Sequence, residues 1–348
     1  MFGGKYDIGV SLLERALAIA EEIGDDEAIA YPCMGLSWHY SIWTFPDDEN
    51  QKKLKHYANR AIECGGRAGL VWVTSKAILS LCADSIYRGH FGDTRYHAGE
   101  LIKFSEQTSD PRPRGMALFM LAFEAGSRGD FEAGIAYAED ANRLLISPID
   151  KIISQCAYWF NQLMTGKIAE ARPVLKVYSS QFLNNAFLIT RLYQTEIPLA
   201  FSIIFSGELK QGVRYLEDTM TTYTGPGNPH PVLIVPFYLG KFYFEMATSK
   251  EKPAWEVVRK NALFLMTKAP FARKLPTRYF LEAIEVGTKL ANPAVVGEAH
   301  YLLDCLAEQR GSSVESQDCF AKARPLLERA GSDLLLTDIN RRLKKTGT

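Results

Sequence analysis

A glycine, any residue, then an apolar or aromatic residue recurs through this chain. It stands at Gly4-Lys5-Tyr6, Gly89-His90-Phe91, Gly129-Asp130-Phe131, Gly166-Lys167-Ile168 and Gly207-Glu208-Leu209. From Gly89 the steps are 40, 37 and 41 residues. A period of that size indicates stacked supersecondary units, none of which can bury its apolar face alone. The 85 residues between Gly4 and Gly89 leave room for two units. The degenerate unit there has Asp47 to Asn50 as its turn and Leu54, Ala58 and Ala61 as its stripe.

Each unit reads as two helices. The glycine ends the first, because a left-handed residue costs least without a Cβ. The residue two places on plugs the corner. The second helix carries small residues at helical spacing, Gly134, Ala138 and Ala141 in one unit and Ala169 and Ala171 in the next, which let two backbones approach. Acidic residues such as Asp130 and Glu132 open it, where the helix dipole favours them. The first helix of each unit is the more apolar, as in LFMLAFEAG and IPLAFSIIFSG. That contrast predicts a buried inner row and a polar outer row. Pro198 lies inside an expected helix and should kink it or delay its start. The chain is read as one array over residues 1–348. A possible hinge falls at 224–231, in TGPGNPHP, and a capping helix at 333–345.

Composition narrows the function. Lys plus Arg and Asp plus Glu are 40 each in 348 residues, so the net charge is zero. A nucleic-acid binder usually carries a basic excess, so neutrality argues against DNA or RNA. No run of about eighteen apolar residues occurs, and the N-terminus has no signal-peptide core. A cytoplasmic location and no membrane partner are therefore expected. Six cysteines, none in a CxxC pair, read as reduced and buried.

The corner pattern, with small residues seven apart at Gly134 and Ala141, resembles the tetratricopeptide repeat. The resemblance implies an all-α solenoid of about seven or eight antiparallel helix pairs forming a right-handed superhelix. The steps are longer than that family's usual 34. The segments GGKYDIGVSLLERALAIAEEIGD and FAKARPLLERAGSDLLLTDINRRL are similar to the C-terminal helical arms of bacterial signal-transduction proteins. In those proteins the arm follows an ATPase module and accompanies a class III nucleotide cyclase or a DNA-binding domain. Gly4 opens an outer helix with no inner helix before it, so a segment upstream or another chain is expected to cover that edge.

Catalytic patterns are missing. There is no GxxxxGK[ST], no HExxH, no GxSxG and no paired-cysteine zinc pattern, and Gly166-Lys167 is a repeat corner. His90 and His97 straddle another corner. No cofactor, metal or catalytic residue is expected on this chain. The cationic end, Arg341, Arg342, Lys344 and Lys345, reads as charge that favours a helix C-terminus.

The family resemblance implies that residues ten and six places before each corner glycine face a concave groove. Here these are Leu79, Phe119, Cys156 and Ile197, then Ala83, Phe123, Phe160 and Phe201. Tyr158, Trp159, Tyr193, Tyr238 and Lys241 share the inner helices and would flank it. The aromatic row is either ordinary core or an apolar groove for a helix or extended peptide. The family's Lys, Arg and Asn carboxylate clamp is missing. The favoured function is a protein-interaction or regulatory scaffold, with another protein or an upstream domain as partner. Two alternatives stand beside it. One is the sensory arm of a cyclase or ATPase. The other is a small-ligand sensor in which Trp38, Tyr40, Trp43 and Trp72 enclose a pocket.

Overall fold

The structure is a computed structural model that describes residues 6–42, 44, 47–182, 191–224, 229–249, 253–268, 271, 274–309 and 313–346. Eighteen α-helices and no strands occur among the described residues. In the first half they are α1 (Tyr6–Ile23), α2 (Asp26–Ile42), α3 (Asp48–Arg67), α4 (Val71–Tyr87), α5 (Phe91–Thr108), α6 (Pro111–Arg128), α7 (Phe131–Leu144), α8 (Pro148–Met164) and α9 (Ile168–Phe182). A π-turn (Leu192–Glu196) runs into α10 (Ile197–Phe205). Then come α11 (Leu209–Tyr223), α12 (His230–Thr248), α13 (Trp255–Lys260), α14 (Ala262–Lys268), α15 (Leu275–Lys289), α16 (Pro293–Gln309), α17 (Ser313–Ala330) and α18 (Asp333–Thr346). Apart from α13 and α14, every one is at least nine residues long. Much of the hinge expected at 224–231 lies outside the described residues, and α12 already includes His230 and Pro231. Helix α18 occupies the span expected of a capping helix.

Helix α3 shows how the local sequence sets an element. The Asp47 carboxylate accepts the Asn50 N–H at 2.8 Å, satisfying one of the donors that a helix start leaves free. Asp48 and Glu49 occupy the first turn and Arg67 the last, each matched to the dipole. Leu54, Ala58 and Ala61 then lie at 1%, 0% and 0% exposure, facing α2 and α4, on which α3 packs.

The corners repeat one hydrogen bond. At seven of them a residue with positive φ is followed by an N–H that donates to the carbonyl five places back. The donor–acceptor pairs are Leu70 to Gly65, His90 to Ser85, Asp130 to Ala125, Lys167 to Gln162, Glu208 to Ile203, Asn292 to Gly287 and Ser332 to Leu327, at 2.8 to 3.1 Å. Six of the positive-φ residues are glycine and the seventh is Ala291, at φ 48°. Of the expected small residues on α7 and α9, Gly134, Ala138, Ala141 and Ala171 are buried, whereas Ala169 is exposed. The buried stripe of α9 continues instead to Leu175, one turn after Ala171.

Pro198 does not delay the helix it lies in. The helix is continuous from Arg191, and the turn before the proline widens to a π-turn closed by the Ile197 N–H on the Leu192 carbonyl. A wider turn accommodates a residue that donates no hydrogen bond.

Successive helices pack on each other from α1 to α12 and again from α15 to α18, α12 packs directly on α15, and α2, α4, α6, α8 and α10 also pack in a row. The chain then returns on itself, with α17 against α5 and α18 against α6. Asn292 Nδ2 donates to the Tyr87 carbonyl at 3.0 Å. Arg95 donates to the Gly331 carbonyl at 3.2 Å, across 236 residues of sequence. Phe91, Ala294 and Ala330 close that seam as a small apolar cluster. Glu124, at 1% exposure, accepts both Arg95 and Arg128 at 2.5 Å.

Candidate functional site

Even-numbered helices carry Phe119, Phe123, Tyr158, Phe160, Phe201 and Tyr238, and the π-turn before α10 carries Tyr193. On α6 and α8, Phe119 is core at 3% exposure. Phe123 and Tyr158 are half-buried around Ala122, Ala138 and Ala157. Phe160 is also half-buried. It lies close against Gly126, where a Cβ would stand 3.1 Å from its Cε1, and its edge meets Phe131 at 6.5 Å. The Tyr158 hydroxyl accepts the Gln162 amide at 2.9 Å.

The second group gathers around α10 and α12. Phe201, at 7% exposure, lies between Phe205, stacked at 5.8 Å, and Tyr238, edge-on at 5.0 Å. Tyr193 packs against both large cores. Its ring lies 5.2 Å from Tyr87, and its hydroxyl is 3.2 Å from Nδ1 of His230. Burial pushes the Tyr193 phenol well up and pulls the His230 imidazole down to about 4. Both therefore stay uncharged at neutral pH. Lys241 keeps 40% of its side chain exposed and pairs with Glu298 of α16 at 2.6 Å. Burial opposes its charge, but the neighbouring Glu298 carboxylate outweighs that and raises its pKa. Its ammonium also lies 5.4 Å from the Phe237 ring centre.

Two of the groove expectations are corrected. Phe119 and Phe201 do not face solvent, and neither do the other residues ten places before a corner. Leu79, Cys156 and Ile197 are at most 2% exposed. The cause is the direct packing of one even-numbered helix on the next, which covers that position. The accessible part of the set is Phe123, Tyr158, Phe160, Tyr193, Tyr238 and Lys241, none of them fully exposed.

Sequence reasoning missed the polar partners on this row. Lys76 of α4 reaches Asp150 of α8 at 2.7 Å, with side chains 13% and 3% exposed. Tyr87, His230 and Glu298 complete it. These residues lie far apart in sequence, and no local spacing marks them. The π-turn adds a second missed cluster. Glu196, 3% exposed, accepts Ser179 Oγ at 2.8 Å, Arg191 Nε at 2.6 Å and the Tyr223 hydroxyl at 3.3 Å, together with the Tyr215 hydroxyl. Burial, and then the Glu196 charge, raise the pKa of both tyrosines. Four donors leave this carboxylate fully occupied, so it holds the π-turn to α9 and α11.

The tryptophan set is dispersed. Trp38 packs on the core that contains Phe119, Tyr40 stacks on Tyr57 at 5.7 Å, and Trp72 is 45% exposed. Trp43 lies outside the described residues. Among the described residues no group of three or more His, Cys, Asp or Glu could hold a metal ion, and His90 and His97 are no exception. Cys33, Cys64, Cys82, Cys156 and Cys305 are buried free thiols, and burial pushes Cys33 up to about 12. Such thiols are poor nucleophiles. No helix of the described residues is long and apolar enough to cross a membrane. No protein-family model matches the chain, and no curated protein matches it in sequence.

Proposed function

We propose that this chain is a protein-interaction or regulatory scaffold, a tetratricopeptide-like solenoid that engages another protein or a neighbouring domain through its N-terminal edge and the accessible part of its inner row. One observation carries the reading. Helix α1 packs on α2 by Leu17 and Ala20 but leaves Ile8, Leu12, Ile19 and Ile23 at 56% to 68% exposure. These four residues share one face at helical spacing. A stripe of large apolar side chains on a regular helix is costly in water and marks a contact surface. Tyr193, Tyr238 and Lys241, whose ammonium pairs with the mostly buried Glu298, supply a mixed apolar and charged face on the inner row. The proposal assigns no catalytic residue and no cofactor to the chain.

A photo-crosslinking amino acid placed at Leu12, at Tyr238 and, as a control, at Tyr137 of the outer helix α7 tests it in source cells. Defined adducts are expected from Leu12 and Tyr238 and not from Tyr137. Adducts at none of the three positions, or at the control alone, would overturn it.

A further inference from the structure

Helices α13 and α14 link α12 to α15 in the chain and are anchored on one side. Asn261, at the break between them, is 5% exposed. Its Nδ2 donates to the Gly207 carbonyl at 2.7 Å and to the Val257 carbonyl at 2.8 Å. Phe264 is buried at 7% in the largest core. Val257 rests on the same corner, 3.0 Å from where a Cβ on Gly207 would stand.

The outer side of this anchored pair is apolar. Trp255 is 76% exposed, Leu263 70% and Met266 74%. Leu263 and Met266, three residues apart, share a face of α14, and Trp255 opens α13 on the other side of the break at Asn261. Phe271, just beyond, is 55% exposed. Among the described residues 253–274, Arg259 and Lys260 stand on one side and Lys268 and Lys274 on the other, with Glu256 as the acid of the same stretch. Lys260 alone has a described acidic partner, Glu208 at 3.4 Å. The whole chain is neutral, so this is a local concentration of positive charge around a group of exposed apolar side chains.

We propose that this face seats on an anionic lipid surface. Trp255, Leu263, Met266 and Phe271 enter the boundary between headgroups and acyl chains, and the four cations meet lipid phosphates. Large apolar side chains flanked by Lys and Arg, with tryptophan at the interface, are what such a surface binds. The expectation of no membrane partner rested on the lack of a spanning segment. An element lying in the interface needs none.

The test is co-sedimentation of the full chain with vesicles of phosphatidylcholine alone and of phosphatidylcholine with an equal amount of phosphatidylglycerol. Binding to the anionic vesicles is expected to be at least about tenfold tighter and to weaken with salt. The triple variant Trp255→Ser, Leu263→Ser, Met266→Ser should lose about tenfold or more in affinity, and Arg259→Glu with Lys268→Glu should lose the anionic preference. The apolar side chains replaced are exposed, so far-UV circular dichroism should be unchanged. No binding to anionic vesicles would overturn the proposal, as would undiminished binding by the serine variant. A protein adduct captured through Trp255 without vesicle binding would assign the face to a protein partner instead. The surface is separate from α1 and the inner row, so either result leaves the scaffold proposal to its own test.

Discussion

The Tyr193 hydroxyl and His230 Nδ1, 3.2 Å apart, join the π-turn to the start of α12 as two uncharged groups. His230 is 5% exposed, and its pKa falls to about 4 because burial penalises the imidazolium. The unfolded chain therefore binds this proton more readily than the folded one between about pH 4 and 6.5. The contribution to stability is complete above pH 6.5 and is lost as pH falls toward 4. It amounts to at most about 3 kcal/mol. Urea midpoints followed across this range should rise with pH in the native chain. They should rise less steeply in His230→Gln, and equal slopes would rule His230 out as the source.

Gly134 inverts a familiar rule. Alanine in a helix interior normally gains about 1 kcal/mol over glycine. Here a Cβ would lie 2.6 Å from three side-chain atoms of Asn161. Asn161 is fully buried and donates to the Ala122 and Ala157 carbonyls at 3.2 and 2.8 Å, so it cannot yield. Gly134→Ala is expected to destabilise by about 1–3 kcal/mol. The double variant with Asn161→Ala should cost less than the two single changes together, since they share one contact. Strict additivity in denaturant unfolding would contradict the contact.

Glu196 gathers Arg191, Ser179, Tyr215 and Tyr223 around one carboxylate. Glu196→Gln leaves the Arg191 guanidinium, which is 13% exposed, without its counter-charge. The expected loss is about 3–5 kcal/mol. Tyr215→Phe removes one neutral donor and should cost only about 1–2 kcal/mol. Thermal or urea unfolding of the pair would rank them, and the reverse order would mean that Arg191 finds another partner.

Phe119 and Phe123 sit one turn apart on α6 but differ in burial. Phe119→Ala should lose about 3–5 kcal/mol as a core truncation, whereas Phe123→Ala should lose roughly 1 kcal/mol for a half-buried ring. The scaffold proposal further expects Phe123→Asp with Phe160→Asp to stay helical by circular dichroism while losing the crosslinked partner. Unfolding of that variant would place both rings in the core.

The corners were the most legible part of the sequence because one residue decides each of them. Gly89, Gly129, Gly166 and Gly207 all take positive φ where the recurring pattern put them. Three further corners stood outside the counted steps, and one of them, Gly69-Leu70-Val71, fits the pattern all the same. At Gly331 the third residue is Asp333 instead of an apolar residue. At Ala291 no glycine is present, and the turn is held by Asn292, which accepts the Val295 N–H at 3.0 Å and donates to the distant Tyr87 carbonyl. The step from Ala291 to Gly331 is again 40 residues. The inner row was legible as a row but not in its exposure. Helical spacing shows which residues share a face, as with Phe119 and Phe123. It does not show how closely the next inner helix approaches, and that distance decides which ring is sealed. Lys76 with Asp150, and Lys241 with Glu298, meet only through packing of distant helices, so composition alone left them among many other charges.

The return of α16 to α18 onto the Gly89 corner also sets an order of events at the ribosome. An array whose units touch only their neighbours can finish each helix pair as it emerges. Phe91 must instead wait for Ala294 and Ala330, and Arg95 for the Gly331 carbonyl. At about 5–20 residues per second this is a delay on the order of ten to fifty seconds. For that interval an otherwise finished N-terminal half carries an apolar notch at Phe91 beside an Arg95 that still lacks the Gly331 carbonyl. A chaperone meeting the nascent chain would find a binding site there that closes only when the last helices arrive.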